Sequence, residues 1–230
     1  VIATNAVTLN TGATAGNVTI SGTINGSTDL DITSGTGDVA IQGIIGGLNA
    51  LSSLDINNNS DNGDIEVFSV GDGTPNPAIT GLTRLGNVNT GTLTLDGNNY
   101  DFGAGVTFGS GTYTQAAGTG VFDVENGPVS FLGNVVTNGT FSLDTNGGDI
   151  TVAGNISATN TSDTLSLSDG SGTGTITLNG TISGLKSVTL VGDTAVHLSG
   201  DITTSAVADG AIDITGPVTL VEDVIIDADA

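Results

Sequence analysis

The sequence predicts an all-β chain wound into a parallel, right-handed β-helix of about ten coils, each of roughly 22 residues and three short strands. Three observations predict it. A phrase recurs through the chain, glycine holds fixed places within it, and the composition favours strands and turns over helices. GNVTISGTI (16–24) returns as GDVAIQGII (37–45), GDITVAGNI (148–156) and GTITLNGTI (174–182), with the apolar letters kept and the polar ones free to change.

The recurring apolar letters set the strands. The first inward residue of the phrase falls at Val18, Val39, Ile65, Leu93, Tyr113, Val129, Ile150, Ile176, Val196 and Val218, a mean step of about 22 residues. Two residues on, the side chain is apolar again in every case but Gln115. Such alternation puts one face of a short strand inside and the other outside. A second series lies between these, at Val7, Leu30, Leu54, Leu85, Val106, Phe122, Phe141, Leu165, Val188 and Ile212. A third, shorter strand follows the first, as at Ile24, Ile156 and Ile202.

Glycine marks the corners. It stands two residues before the inward position in nine of the ten phrases, Gly16, Gly37, Gly148 and Gly174 among them. A sharp bend between strands needs positive φ or close approach of backbones, and glycine permits both. Three strands in 20-odd residues suit parallel coils stacked about 4.8 Å apart, ten of which make a rod of roughly 48 Å; the crossover rule makes such coils right-handed. The whole of 1–230 reads as one segment of a longer solenoid, and FSVGDGTPNPAIT (68–80), with two of the four prolines, reads as a loop protruding from a corner.

Charge limits the partners. Twenty-four acidic residues against two basic ones leave a net charge of −22, so nucleic acid is excluded as a ligand because phosphate contacts need Lys and Arg. No apolar run reaches the length of a membrane span, and membrane insertion is not expected. The chain has no cysteine, so neither disulfides nor thiolate metal sites hold it together.

The residues offer little for catalysis, and no catalytic residue and no cofactor is assigned. His197 stands on the outward side between Val196 and Leu198, and the only basic side chains, Arg84 and Lys186, are far apart. For a metal, the candidates are Asp61, Asp64, Asp38 and Asp149. The last three share one corner position of the phrase, and DNGD (61–64) concentrates carboxylates beside it. Capping of backbone amides outweighs calcium binding there. Seven of the eight aromatics lie between Tyr100 and Phe141; Phe108, Phe122, Phe131 and Phe141 read as a stacked core, while Tyr100, in DGNNYDFGAG, is the candidate for glycan contact as an exposed ring. The outward letters of the phrase include six threonines, a regular column if all ten phrases stack on one face.

GDVAIQGIIGGLNALSSLDI (37–56) and ISGLKSVTL (182–190) resemble repeats of large secreted bacterial β-helix exoproteins, the filamentous-haemagglutinin-like proteins and giant adhesins. The resemblance implies export, surface display, and roles in adhesion or envelope structure. The expectation is therefore a structural or adhesive segment of a large extracellular or cell-surface protein. It would associate end to end or continue into adjacent repeats, and would meet host or neighbour-cell glycans. The alternative is a carbohydrate-active β-helix enzyme or glycan-binding module.

Overall fold

The computed structural model describes residues 2–58, 62–71, 77–116, 118–170, 172–205 and 210–228. Within them there are strands and turns and no helix, and every strand pairing is parallel. Twenty-four strands join one continuous hydrogen-bonded network, and Ile2–Ala3 pairs separately with Asn25–Gly26. The chain is a β-solenoid of about nine turns, close to the ten expected.

Three inward columns run up the solenoid, one to a face. Face A stacks Val7, Leu30, Leu54, Thr83, Val106, Val129, Ile150, Ile176, Val196 and Val218. Face B stacks Val18, Val39, Ile65, Leu93, Tyr113, Val135, Ile156, Ile182, Ile202 and Ile226. Face C stacks Ile24, Ile45, Val70, Tyr100, Phe122, Leu143, Leu167, Leu190 and Ile214. The chain visits A, B and C in that order on every turn.

These columns correct the expected stacking of the phrase. From Val18 to Tyr113 the first inward residue lies on face B, but from Val129 onward it lies on face A. The second series moves too, from face A at Val106 to face C at Phe122. The phrase therefore slips by one face midway along the solenoid, and the short interval from Tyr113 to Val129 is not a coil. All three faces ask for the same alternation of inward Val, Ile or Leu, so nothing in the phrase ties it to one of them. The outward column of six threonines is split accordingly. Thr19, Thr94 and Thr114 stand on face B, whereas Thr151, Thr177 and Thr219 stand on face A.

The slip is filled by aromatic rings. Tyr100, Phe102, Phe108, Tyr113, Phe122, Phe131 and Phe141 are all buried. Tyr100 stacks on Phe122 at 4.7 Å and Phe108 on Phe131 at 4.5 Å, while Tyr113 meets Phe122, Phe131 and Phe141 edge-on. Flat rings fill the bore here, and ring stacking adds to their area burial. Gln115, the polar residue at the second inward position of the phrase, donates from Nε2 to the carbonyls of Thr140 and Gly118.

Close approach explains the corner glycines better than φ does. A Cβ on Gly37 would lie 2.6 Å from the carbonyl carbon of Gly16 one coil earlier, although Gly37 does not need positive φ. Gly180 sits on Gly154 in the same way. A side chain there would force the coils apart.

Of the segment 68–80 expected to loop out, Phe68 and Ser69 belong to the strand Ile65–Val70. Ala78 and Ile79 are buried, with Ile79 bridged to Leu51 and Phe102. Residues 72–76 lie outside the described residues.

Candidate functional site

Acidic side chains gather at a corner and on face C. The corner is the residue just before each face B strand. Asn17 Oδ1 accepts the Asp38 amide (3.0 Å), Asp38 Oδ1 the Asp64 amide (3.0 Å) and Asp64 Oδ1 the Thr92 amide (2.7 Å). Further along, Asn134 accepts from Asn155, Asn155 from Thr181 and Asp201 from Ile225, at 2.9, 3.0 and 2.8 Å. Each side chain thus caps the backbone of the coil that follows. Both amides and carboxylates serve in this role, so the position asks for an acceptor oxygen rather than a charge.

Beside this ladder, Asp38, Asp64, Glu66, Thr92 and Thr94 line a shallow groove of about 360 Å³. The structure brings Asp38 and Asp64 together in adjacent coils. Asp149 does not join them: it precedes a face A strand, where its Oδ1 accepts the Thr175 amide at 2.8 Å. The expectation that all three share one corner is corrected by the slip of the phrase. Asp61 lies outside the described residues. Among the described residues, no three of His, Cys, Asp or Glu are grouped to hold a metal ion.

On face C, Asp101, Asp123 and Asp144 stack in consecutive coils. Asn146 separates the upper two charges by donating from Nδ2 to Asp123 Oδ1 at 3.1 Å. Asp101 is only 6% exposed, and its Oδ1 has no hydrogen-bond partner. Burial, reinforced by the Asp123 and Glu125 charges, pushes its pKa up to about 6. Sequence reasoning missed this residue, because an outward Asp next to two aromatics reads as solvated.

Tyr100 is corrected as well. It is buried rather than exposed, its hydroxyl accepts the Gly97 amide at 2.6 Å, and burial raises its pKa. The segment taken for a loop contains the face C strand Asn99–Phe102, whose Tyr100 and Phe102 alternate inward. The ring is therefore core and offers no face to a sugar.

A third acidic place surrounds buried Asp169: burial raises its pKa, its carboxylate accepts the Asp193 amide, and the Asp193, Asp144 and Asp149 charges raise it further. Arg84 stands outward on face A above Asp55, 3.5 Å from its carboxylate, with Asp31 stacked below. Burial and the Asp31 charge raise the Asp55 pKa, and Arg84 opposes them. His197 stands outward between Thr177 and Thr219 in the same column.

No family model, no curated protein and no solved structure matches the chain.

Proposed function

We propose that this solenoid is a structural, adhesive segment of a large bacterial protein, secreted or held at the cell surface, acting as a rod-like scaffold. The observation that carries this reading is the unbroken face B column from Val18 to Ile226, ten residues in nine steps, each step a parallel ladder. Nine steps at about 4.8 Å give a rod of roughly 43 Å. Such a body gains length by adding coils and keeps its outer rows in register. The resemblance of 37–56 and 182–190 to exoprotein repeats supports the surface setting. The charge of −22 keeps such a rod soluble and repels nucleic acid. Its partners in this reading are adjoining coils and the glycans of a host or neighbouring cell, met by the outward Ser and Thr rows.

Incubation with a panel of polysaccharides tests the reading, with retention and newly formed chain ends measured together. Retention without cleavage is expected. Cleavage that disappears in Asp64→Asn or Glu66→Gln, both in the groove beside the corner ladder, would replace the scaffold with a carbohydrate-active enzyme.

A further inference from the structure

Face C carries a column of like charges. Asp101, Asp123 and Asp144 belong to consecutive strands, Asp101 in register with Asp123 and Asp123 with Asp144. Stacked strands place such neighbours about 4.8 Å apart, where two carboxylates repel each other unless a donor or a cation stands between them. The upper step of the column has its donor. Asn146 gives its backbone amide to Asp144 Oδ1 at 3.0 Å and its Nδ2 to Asp123 Oδ1 at 3.1 Å.

The lower step has none among the described residues. Asp101 is 6% exposed, its Oδ1 is without a hydrogen-bond partner, and the charges that act on it, Asp123 and Glu125, are of its own sign. Beneath it lies Gly71, bare backbone packed against the Asp101 side chain. Neither basic residue of the chain serves it. Arg84 stands beside Asp55 on face A, and Lys186 precedes the strand Ser187–Val191, four strands further up face C. A buried, ionised carboxylate without a donor is costly. This step of the column therefore calls for a positive charge from solution.

We propose that a calcium ion binds between Asp101 and Asp123. Two carboxylates at the strand spacing suit a hard cation that takes oxygen ligands with little demand on geometry, and Glu125 adds a third negative charge to its field. Among the described residues no three acidic side chains are grouped to enclose a metal, so water fills the remaining coordination positions. Affinity then falls in the range of weak extracellular sites, about 0.1 to 1 mM. The ion relieves a repulsion that the folded chain already tolerates, so it stabilises face C without being required for folding. The corner ladder differs, because Asp38 Oδ1 and Asp64 Oδ1 each accept a backbone amide. The site does not depend on the scaffold reading.

Titration of the full chain with calcium chloride, followed by amide NMR, tests the site. Sodium chloride at about 0.15 M screens diffuse ion binding to the exposed carboxylates. The Asp101 and Asp123 amides are expected to shift together and to saturate with a midpoint of about 1 mM or lower. Asp101→Asn and Asp123→Asn, which each remove a charged ligand, should weaken binding by about tenfold or more. Asp64→Asn, at the corner ladder, should leave the midpoint unchanged. Calcium should also raise the melting temperature of the unmodified chain and not that of Asp101→Asn. Shifts that spread evenly over the acidic surface without saturating overturn the proposal. Binding that survives unchanged in both Asp101→Asn and Asp123→Asn overturns it as well.

Discussion

Tyr113 stacks on Val135 of the next coil, 22 residues on, and not on Val129, which follows it by 16 residues and stacks on Val106 of another face. The recurring phrase thereby changes face, and the rings around Tyr113 fill the bore where it does so. Phe122 lies at the centre of this packing, against Tyr100, Phe108, Tyr113 and Phe141.

Phe122→Ala is expected to destabilise the chain by about 4 kcal/mol, because the surrounding rings cannot collapse into the space it leaves. Denaturant unfolding measures this. A loss under about 1 kcal/mol would mean that the aromatic belt is not a tightly packed part of the core.

At the corner ladder, Asp38→Asn should be nearly neutral, since Asn17, Asn134 and Asn155 perform the same capping with an amide oxygen. Asp38→Ala should cost about 1 kcal/mol, the worth of one lost hydrogen bond. Thermal unfolding of the two variants checks the pair of outcomes. Equal losses would show that the carboxylate charge itself matters.

Much of this was legible in the sequence and some was not, for identifiable reasons. Inward residues such as Val39, Ile150 and Leu178 could be read because alternation needs only neighbouring letters, and Phe108, Phe122, Phe131 and Phe141 were read as core on the same ground. The face each phrase occupies could not be read, because Val129 and Val135 both satisfy the pattern and only stacking distinguishes them. Tyr100 reads as a loop residue because DGNNYDFGAG has the polar, glycine-rich letters of a loop, although its Tyr-Asp-Phe alternation is that of a strand. The capping by Asp38 and Asp64 was legible as a corner role, and their separation from Asp149 was not.

Asp101 makes stability depend on pH. Its pKa in the folded chain is about 6, against 3.8 for an ordinary aspartate, so the folded state holds the extra proton between those values. Stability from this group is therefore full below about pH 4 and falls as pH rises through 6. Burial raises the pKa most, the Asp123 and Glu125 charges add to that, and Gly71, packed against Asp101 from the coil below, offers no charge. Asp101→Asn should remove this part of the pH dependence and stabilise the chain at pH 7 by up to about 3 kcal/mol. Unfolding of both proteins between pH 4 and 7.5 measures the difference; parallel curves would contradict the assignment.

With 24 acidic residues against two basic ones, self-repulsion should weaken the fold at low ionic strength. The melting temperature is expected to rise with NaCl as surface charges are screened. Adding a chelator at high NaCl should leave the β-sheet circular dichroism unchanged. Loss of that signal would place a divalent cation in the fold.

The slip of the phrase by one face is tested most directly by paired cysteines at outward positions of adjacent coils. Thr114 neighbours Val136 on face B, and Ser130 neighbours Thr107 on face A. Stacked Cα atoms at about 4.8 Å fall within disulfide range. In the otherwise cysteine-free chain, Thr114→Cys with Val136→Cys should oxidise to an intramolecular disulfide, and Thr114→Cys with Ser130→Cys should not. The reverse result, with Thr114 linking to Ser130 and not to Val136, would show that the phrase keeps to one face and would contradict the register described.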